Sequence, residues 1–278
     1  MHIVITGASS GIGAAFAREL ATIPGARLTL VARRRSLLEE LAESLPCPSF
    51  IVTRDLSRLE ADGEESWASW LAEAERENGP VDVLVNNAGV QVIAPSAEVD
   101  VARGEASLHV NLVAPLRLTH AVLPKMLARG KGTIVDVASL AALAPTPGMT
   151  YYNASKAGLA AASEALRGEL RGTGVHVVTV YPGIVATDMA EQGLAAYGSN
   201  LALKLQPRGT TAGLARLVKN AIFRKKARVI YPRAYAPVRW LGPVVRWFVD
   251  RFSPLPRGQQ AESARPSRRA CAWLSAKA

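Results

Sequence analysis

Cysteine is scarce in this 278-residue chain, and Cys47 and Cys271 stand far apart, so no disulfide framework and no cysteine metal site is expected. Histidine is scarce as well: His2, His109, His120 and His176 form no ligand pair, and no metal is expected. No apolar run approaches the ~18 residues of a membrane span. The strand-like run His2–Thr6 begins at once, so no secretory leader is expected and the reading is a cytoplasmic protein. Acidic side chains are short in one region only. Residues 216–278 carry 15 Lys/Arg against 2 Asp/Glu, a net +13, while the remainder is −3. The basicity therefore belongs to a C-terminal segment, and no nucleic-acid reading module accompanies it, so no nucleic-acid partner is expected.

What the chain has in quantity is apolar sequence, 49% of it, arranged as short Val/Ile/Leu runs alternating with segments of helical period. That alternation predicts an α/β fold of Rossmann type: a doubly wound, seven-stranded parallel sheet with helices on both faces. The strands are expected at His2–Thr6, Arg27–Ala32, Ser49–Thr53, Val81–Asn86, Gly132–Ala138, Val175–Tyr181 and Ala227–Tyr231. Helices are expected at Ile12–Thr22, Ser36–Ser44, Glu64–Asn78, Ala102–Ala128, Met149–Arg171 and Thr210–Phe223, with a bend or break where Pro115 and Pro124 fall.

Residues 1–235 are read as one catalytic domain. Thr187–Pro207 has no clean period and mixes glycines with apolar residues, which predicts a mobile lid. Residues 236–252 form an amphipathic, basic extension rich in Trp and Arg. Peripheral membrane contact and packing over the substrate mouth are both open there, with Gly242-Pro243 expected to interrupt any helix. Residues 253–278 read as a disordered basic tail.

After the first strand comes Thr6-Gly7-Ala8-Ser9-Ser10-Gly11-Ile12-Gly13, then a helical segment. Glycines at 7, 11 and 13 allow a sharp turn close to a pyrophosphate, whose charge meets free N–H groups and the positive end of the helix dipole. Ser9, Ser10 and Ile12 complete this predicted phosphate-binding turn. An acidic residue at the end of the second strand would bind the ribose hydroxyls of NAD, but Arg33-Arg34-Arg35 stands there instead. Arg33 and Arg34 predict charge-assisted contacts to a 2′-phosphate, hence NADP(H). Asp55, after the third strand, is open between an adenine contact and a local cap.

Tyr152 and Lys156 are four residues apart in a predicted helix and so share one face. A phenol can give a proton to the alkoxide left by hydride transfer if a cation brings its pKa down from about 10. At about 4 Å and an effective dielectric near ~20 the attraction is about 4 kcal/mol.

The phosphate turn and Tyr-Asn-Ala-Ser-Lys occur together with Asn86-Asn87-Ala88-Gly89, Asn111, Ser139, Pro182-Gly183 and Thr187. In order and spacing these resemble the short-chain dehydrogenase/reductase (SDR) family, from Met1 to about Tyr231. The resemblance implies a hydride-transferring oxidoreductase of carbonyl or alcohol substrates, with Tyr152 as general acid/base. It implies that Ser139 orients the substrate oxygen, that Lys156 lowers the phenol pKa together with the positive nicotinamide and holds the nicotinamide ribose, and that Asn111 positions a proton-relay water. Asn87, Ala88 and Gly89 would border the cofactor, with Pro182, Gly183 and Thr187 at its nicotinamide end.

Gln91–Ala94, Leu140–Met149 and the lid are mainly apolar, which predicts a lipophilic ketone or secondary alcohol as small-molecule substrate. The rival readings are a 3-oxoacyl-thioester reductase and a non-catalytic NADP-binding sensor. A homo-oligomer is expected.

Overall fold

The fold comes from a computed structural model that describes residues 1–57, 69–198 and 205–256. The early part of the predicted helix Glu64–Asn78, part of the lid and the tail beyond 256 lie outside the described residues.

Nine strands are described: β1 (His2–Thr6), β2 (Arg27–Ala32), β3 (Ser49–Thr53), β4 (Val81–Asn86), β5 (Gly132–Val137), β6 (Val175–Pro182), β7 (Ile184–Val185), β8 (Arg208–Gly209) and β9 (Arg228–Tyr231). Seven make one parallel sheet in the order β3-β2-β1-β4-β5-β6-β9, and β7 pairs with β8 apart from it. The order reverses between β1 and β4, so a crevice opens at the carboxyl ends of those strands.

Alternating side chains feed two cores. Ile3 and Ile5 pack with Phe16 and Leu20 of α1 (Gly11–Leu20) on one face. Val4 and Leu84 pack with Leu118 and Met126 on the other. Both faces are buried, which is why these strands read as continuous apolar runs.

The remaining helices are α2 (Arg35–Glu43), α3 (Ser69–Asn78), α4 (Val101–Leu108), α5 (Ala114–Ala128), α6 (Thr150–Glu169), α7 (Asp188–Ala196), α8 (Thr211–Phe223) and α9 (Gly242–Phe252). The predicted helix Ala102–Ala128 is thus two helices joined by a π turn, His109–Val113, in which the Ala114 N–H donates to His109 O. Pro115, which has no N–H to donate, follows the π turn at once at the start of α5. Pro124 sits inside α5.

One expectation is corrected. Residues 188–196 of the predicted irregular lid form a helix, capped where Thr187 Oγ1 accepts from the Ala190 N–H. Gly242-Pro243 interrupts the helical path as expected: a 3-10 turn over Arg233–Arg239 ends before it, and α9 starts afresh at Gly242, where proline suits the first turn.

The extension is anchored to the body through Glu164 of α6. That carboxylate accepts from Arg228 at 2.7 and 2.8 Å, from Tyr181 Oη at 2.8 Å and from Arg239 at 3.1 Å. Tyr235 Oη also donates to Pro207 O at 3.1 Å. The hydrogen bonds from Arg228 do most to hold the Glu164 carboxyl well below the usual carboxylate range. A depressed folded-state pKa stabilises the fold at pH above the unfolded value of about 4.3, and that contribution is lost as pH falls. Glu164→Gln is therefore expected to lower stability at neutral pH by about 1–2 kcal/mol, after discounting for partial exposure. Urea unfolding of the two proteins at about pH 7 and at about pH 4 checks this, the difference shrinking in acid.

Candidate active site

One cleft of about 1000 Å³ runs along the carboxyl ends of the sheet strands. Its floor at one end is the glycine turn. Gly7 and Gly11 have positive φ, 67° and 55°, a conformation that glycine adopts without strain. A Cβ at Gly13 would collide with the Gly7 carbonyl oxygen and stand 2.6 Å from Asn87 Nδ2. Thr6 Oγ1 holds this turn against the following loop, accepting from the N–H groups of Asn87 and Ala88 at 3.0 Å each. Asn87 Nδ2 donates to Thr6 O at 2.9 Å. The sequence reading carried Thr6 as the end of a strand and the first residue of the turn without a role of its own, and the partners that give it one lie some eighty residues away.

Ser10 precedes α1 without capping it by its side chain. Instead, the hydroxyls of Ser9 and Ser10 accept from Arg34 Nη2 at 3.1 and 2.8 Å. The guanidinium is so placed beside the open helix end, a position suited to an anionic group. Arg33 lines the cleft too, whereas Arg35 points away and pairs with Glu39 at 2.8 Å. Asp55 lines the cleft while its Oδ1 accepts from both N–H and Oγ of Ser57, a local turn of the capping kind. The narrow glycine cradle, the uncapped helix end and the paired arginines fit a phosphorylated dinucleotide.

Further along the same cleft stand Ser139, Tyr152, Lys156, Pro182, Gly183 and Thr187, together with Ser9, Ile12, Ala88 and Gly89. Ser139 Oγ accepts from Ala141 N–H at 3.1 Å, which fixes the hydroxyl at the end of β5. Tyr152 and Lys156 share the inner face of α6, with Nζ 6.0 Å from the phenol ring centroid. Tyr151 turns the other way, its ring packed on Gly104.

Lys156 is 4% exposed, and its Nζ donates to Val137 O at 2.8 Å. Burial pulls its amine down to about 8, with nearby Asp136 acting in the opposite direction. Asp136 is itself buried beneath the site, and burial pushes its carboxyl up against the opposing bonds from Asn86 and Ser163.

The Tyr152 phenol faces the same cleft. Burial pushes that phenol up, and the opposing influence is the Ser139 hydroxyl. The ammonium gives one of its three N–H donors to Val137 O and stands off the ring, so desolvation of the phenolate outweighs its attraction.

Asn111 falls in the π turn and is fully buried. Its Oδ1 accepts from Val90 N–H at 2.8 Å, and its Nδ2 donates to Val90 O at 2.9 Å and Ser155 Oγ at 3.0 Å. It stands behind Gly89, where an added Cβ would lie 3.2 Å from Asn111 Oδ1 and 3.4 Å from Lys156 Nζ. Asn111 therefore braces the cleft wall from behind and ties it to α6. Ser155, whose Oγ in turn donates to Tyr152 O at 2.8 Å, is a site residue the sequence reading missed.

The far end of the cleft is apolar. Ile93, Leu140, Ala144 and Met149 form one wall, and Leu194 of α7 with Tyr197 just past its end another. Tyr197 Oη donates to Pro147 O at 2.7 Å, which docks α7 on the 140–149 loop. Packing of the extension over the substrate mouth, one of the two readings left open, is what the roof shows: Val245, Phe248, Val249 and Phe252 of α9 line the cleft, and Pro256 presses on Gly148. Residues 253–256, assigned by sequence to the disordered tail, thus lie against the site.

A parallel sheet whose switch-point crevice holds a glycine turn at one end and a tyrosine–lysine pair at the other defines a nucleotide-binding fold equipped for proton transfer. The short chain dehydrogenase family profile matches residues 1–197, and the chain belongs to that family of oxidoreductases. It is 34% identical over 235 residues to the ketoacyl reductase HetN of Nostoc sp., covering 82% of this chain and 77% of that one. Over 204 residues it is 38% identical to a fatty acyl-CoA reductase of Mycobacterium tuberculosis, covering 68% and 64% of the two chains. A solved short-chain dehydrogenase from Sphingobium yanoikuyae, in complex with NADPH, is similar over 96% of this chain and 99% of that one, with TM-score 0.73 and 28% identity.

Among the described residues no helix is long and apolar enough to cross a membrane.

Proposed function

We propose that this protein is an NADP(H)-dependent oxidoreductase that reduces a lipophilic ketone, or oxidises the matching secondary alcohol, with Tyr152 as proton donor and acceptor. The observation that carries this reading is one continuous cleft in which Arg34 and the glycine turn, the Tyr152–Lys156 pair and an apolar chamber follow one another.

Gly7, Gly11, Gly13, Ser9, Ser10, Arg33 and Arg34 would hold the phosphates of the cofactor, and Lys156 its nicotinamide ribose. When bound, the reduced nicotinamide supplies a hydride. Tyr152 Oη supplies the proton that the substrate oxygen takes up. Ser139, its Oγ fixed by the Ala141 N–H, keeps a hydroxyl proton with which to orient that oxygen. Asn111 holds the wall beside Lys156, and one lone pair of its Oδ1 is left for a relay water.

We assign residues 1–235 to the catalytic domain and 236–252 to a roof over the chamber. The apolar walls of the far chamber, Ile93, Leu140, Ala144, Met149 and Leu194, favour a lipophilic substrate.

The ketoacyl and fatty acyl-CoA reductases among the relatives favour a second reading, an acyl thioester as substrate. A screen of NADPH consumption tests both. Bulky aliphatic and aromatic ketones are expected to turn over with kcat/KM at least about tenfold above short ketones, about 1.4 kcal/mol of transition-state binding. A preference for 3-oxoacyl thioesters would select the second reading, and no turnover on either class would refute both.

A pH profile tests the lysine. The Lys156 amine is charged below about 8 and neutral above it. If reduction uses the charged form, kcat/KM is level from about pH 6 to about 7.5 and falls as pH rises through about 8. Tyr152, shifted upward, stays protonated over that range. A profile that is flat to about pH 10 would remove the ammonium from the mechanism.

A further inference from the structure

We propose that the outward face of α9 docks on an anionic lipid membrane and so holds the mouth of the cleft at the lipid surface. The first observation is where exposed apolar surface lies. Thirteen large hydrophobic side chains are exposed among the described residues, and seven of them fall between residues 240 and 255. Trp240 is 82% exposed, Trp247 59% and Val244 51%. A helix that only covers a site would bury one stripe and present polar groups outside. α9 has no buried residue, and it is apolar in two directions: Val245 and Val249 turn to the cleft, Val244 and Trp247 to solvent.

The second observation is the kind of side chain that accompanies this surface. The Arg239 guanidinium, which also donates to Glu164, lies 5.8 Å from the Trp240 ring centroid, and the guanidinium of Arg251, on α9 itself, lies 5.7 Å from Phe252. Arg246 and Arg251 are exposed on α9, and Asp250 is the one acid between residues 236 and 256. Indole rings mixed with arginine suit the headgroup region, where the ring meets the acyl boundary and the cation meets lipid phosphate. The net +13 of residues 216–278 adds attraction to an anionic leaflet. The same charge argues against a second copy as occupant, since a twofold contact through this face would set its arginines against one another.

The third observation is continuity with the cleft. Phe248 and Phe252 are both more than half exposed and both line it, and Met189 does so from α7 with 41% exposure. The apolar patch is therefore the lip of the chamber. A lipid-dissolved substrate would enter without crossing bulk water, a consequence that rests on the lipophilic-substrate reading, whereas docking itself does not.

The test is co-sedimentation of the full chain with vesicles of phosphatidylcholine alone or with phosphatidylglycerol added. The full chain is expected to sediment with the phosphatidylglycerol vesicles at least about tenfold more than with phosphatidylcholine alone. Trp240→Ser combined with Trp247→Ser is expected to lower that partition at least about tenfold. Neither tryptophan lines the cleft, so NADPH consumption with a small water-soluble ketone is expected to stay unchanged. Three results would overturn the proposal: no sedimentation with the anionic vesicles; equal sedimentation of the doubly substituted chain; or self-association that the double substitution abolishes in a chain that ignores vesicles. Vesicle binding is read without turnover, so failure of the carbonyl reading and failure of docking are separately visible.

Discussion

Tyr152→Phe is expected to slow carbonyl reduction by about 10³-fold or more while the NADPH dissociation constant changes by no more than about twofold. The substitution keeps the ring in the cleft wall and deletes only Oη, the atom that would exchange a proton with the substrate oxygen. The backbone bond from Ser155 Oγ to Tyr152 O does not involve the phenol, so the Asn111–Ser155 brace is preserved. General acid catalysis by a positioned group contributes about 10²–10⁴-fold, and no other described side chain on the inner face of α6 offers a hydroxyl at this point of the cleft. Steady-state rates together with NADPH fluorescence titration separate the two effects. Loss of binding in parallel with rate would mean that the phenol supports the cofactor instead of the chemistry.

Arg33→Ala combined with Arg34→Ala is expected to weaken NADPH about 100-fold and NADH no more than about threefold. Two charge-assisted hydrogen bonds at about 1.5 kcal/mol each sum to about 3 kcal/mol, or about two decades in affinity. Arg34 is preset for this by Ser9 and Ser10, which hold its guanidinium at the end of α1. Arg35, occupied with Glu39, serves as the internal control: Arg35→Ala is expected to leave both affinities unchanged. Titration of NADPH and NADH against the variants gives the discrimination ratio, and an equal loss for both nucleotides would refute a 2′-phosphate contact.

The sheet was legible in the sequence because a parallel strand buried on both faces needs unbroken apolar residues, and β1 to β4 begin and end where those runs do. The glycine turn was legible because its constraints are local: Gly7, Gly11 and Gly13 meet obstacles within a few residues or need positive φ. What escaped depends on partners distant in the chain. The role of Asn111 follows from a π turn that no periodicity announces, and from Val90 and Ser155 on other elements. α7 did leave a signal, since Thr187 precedes Asp188 and Glu191 as cap and acidic first turn, but the glycines around it outweighed that reading. For α9 the proline was read as a break, which the end of the 233–239 turn bears out; what went unread is that a helix begins there, a place that proline favours. The fall of the Lys156 amine to about 8 is a consequence of burial, which spacing in a sequence does not measure.

The central claim is hydride delivery from NADPH to a carbonyl carbon in this cleft. It is tested most directly by a single turnover with NADPH deuterated at the transferable position and a bulky ketone, followed by mass analysis of the alcohol. The account predicts an alcohol carrying one deuterium on the carbinol carbon from the native protein, with formation slowed by about 10³-fold in Tyr152→Phe. An alcohol without deuterium, or none formed from any ketone or thioester while NADPH stays bound, would contradict it.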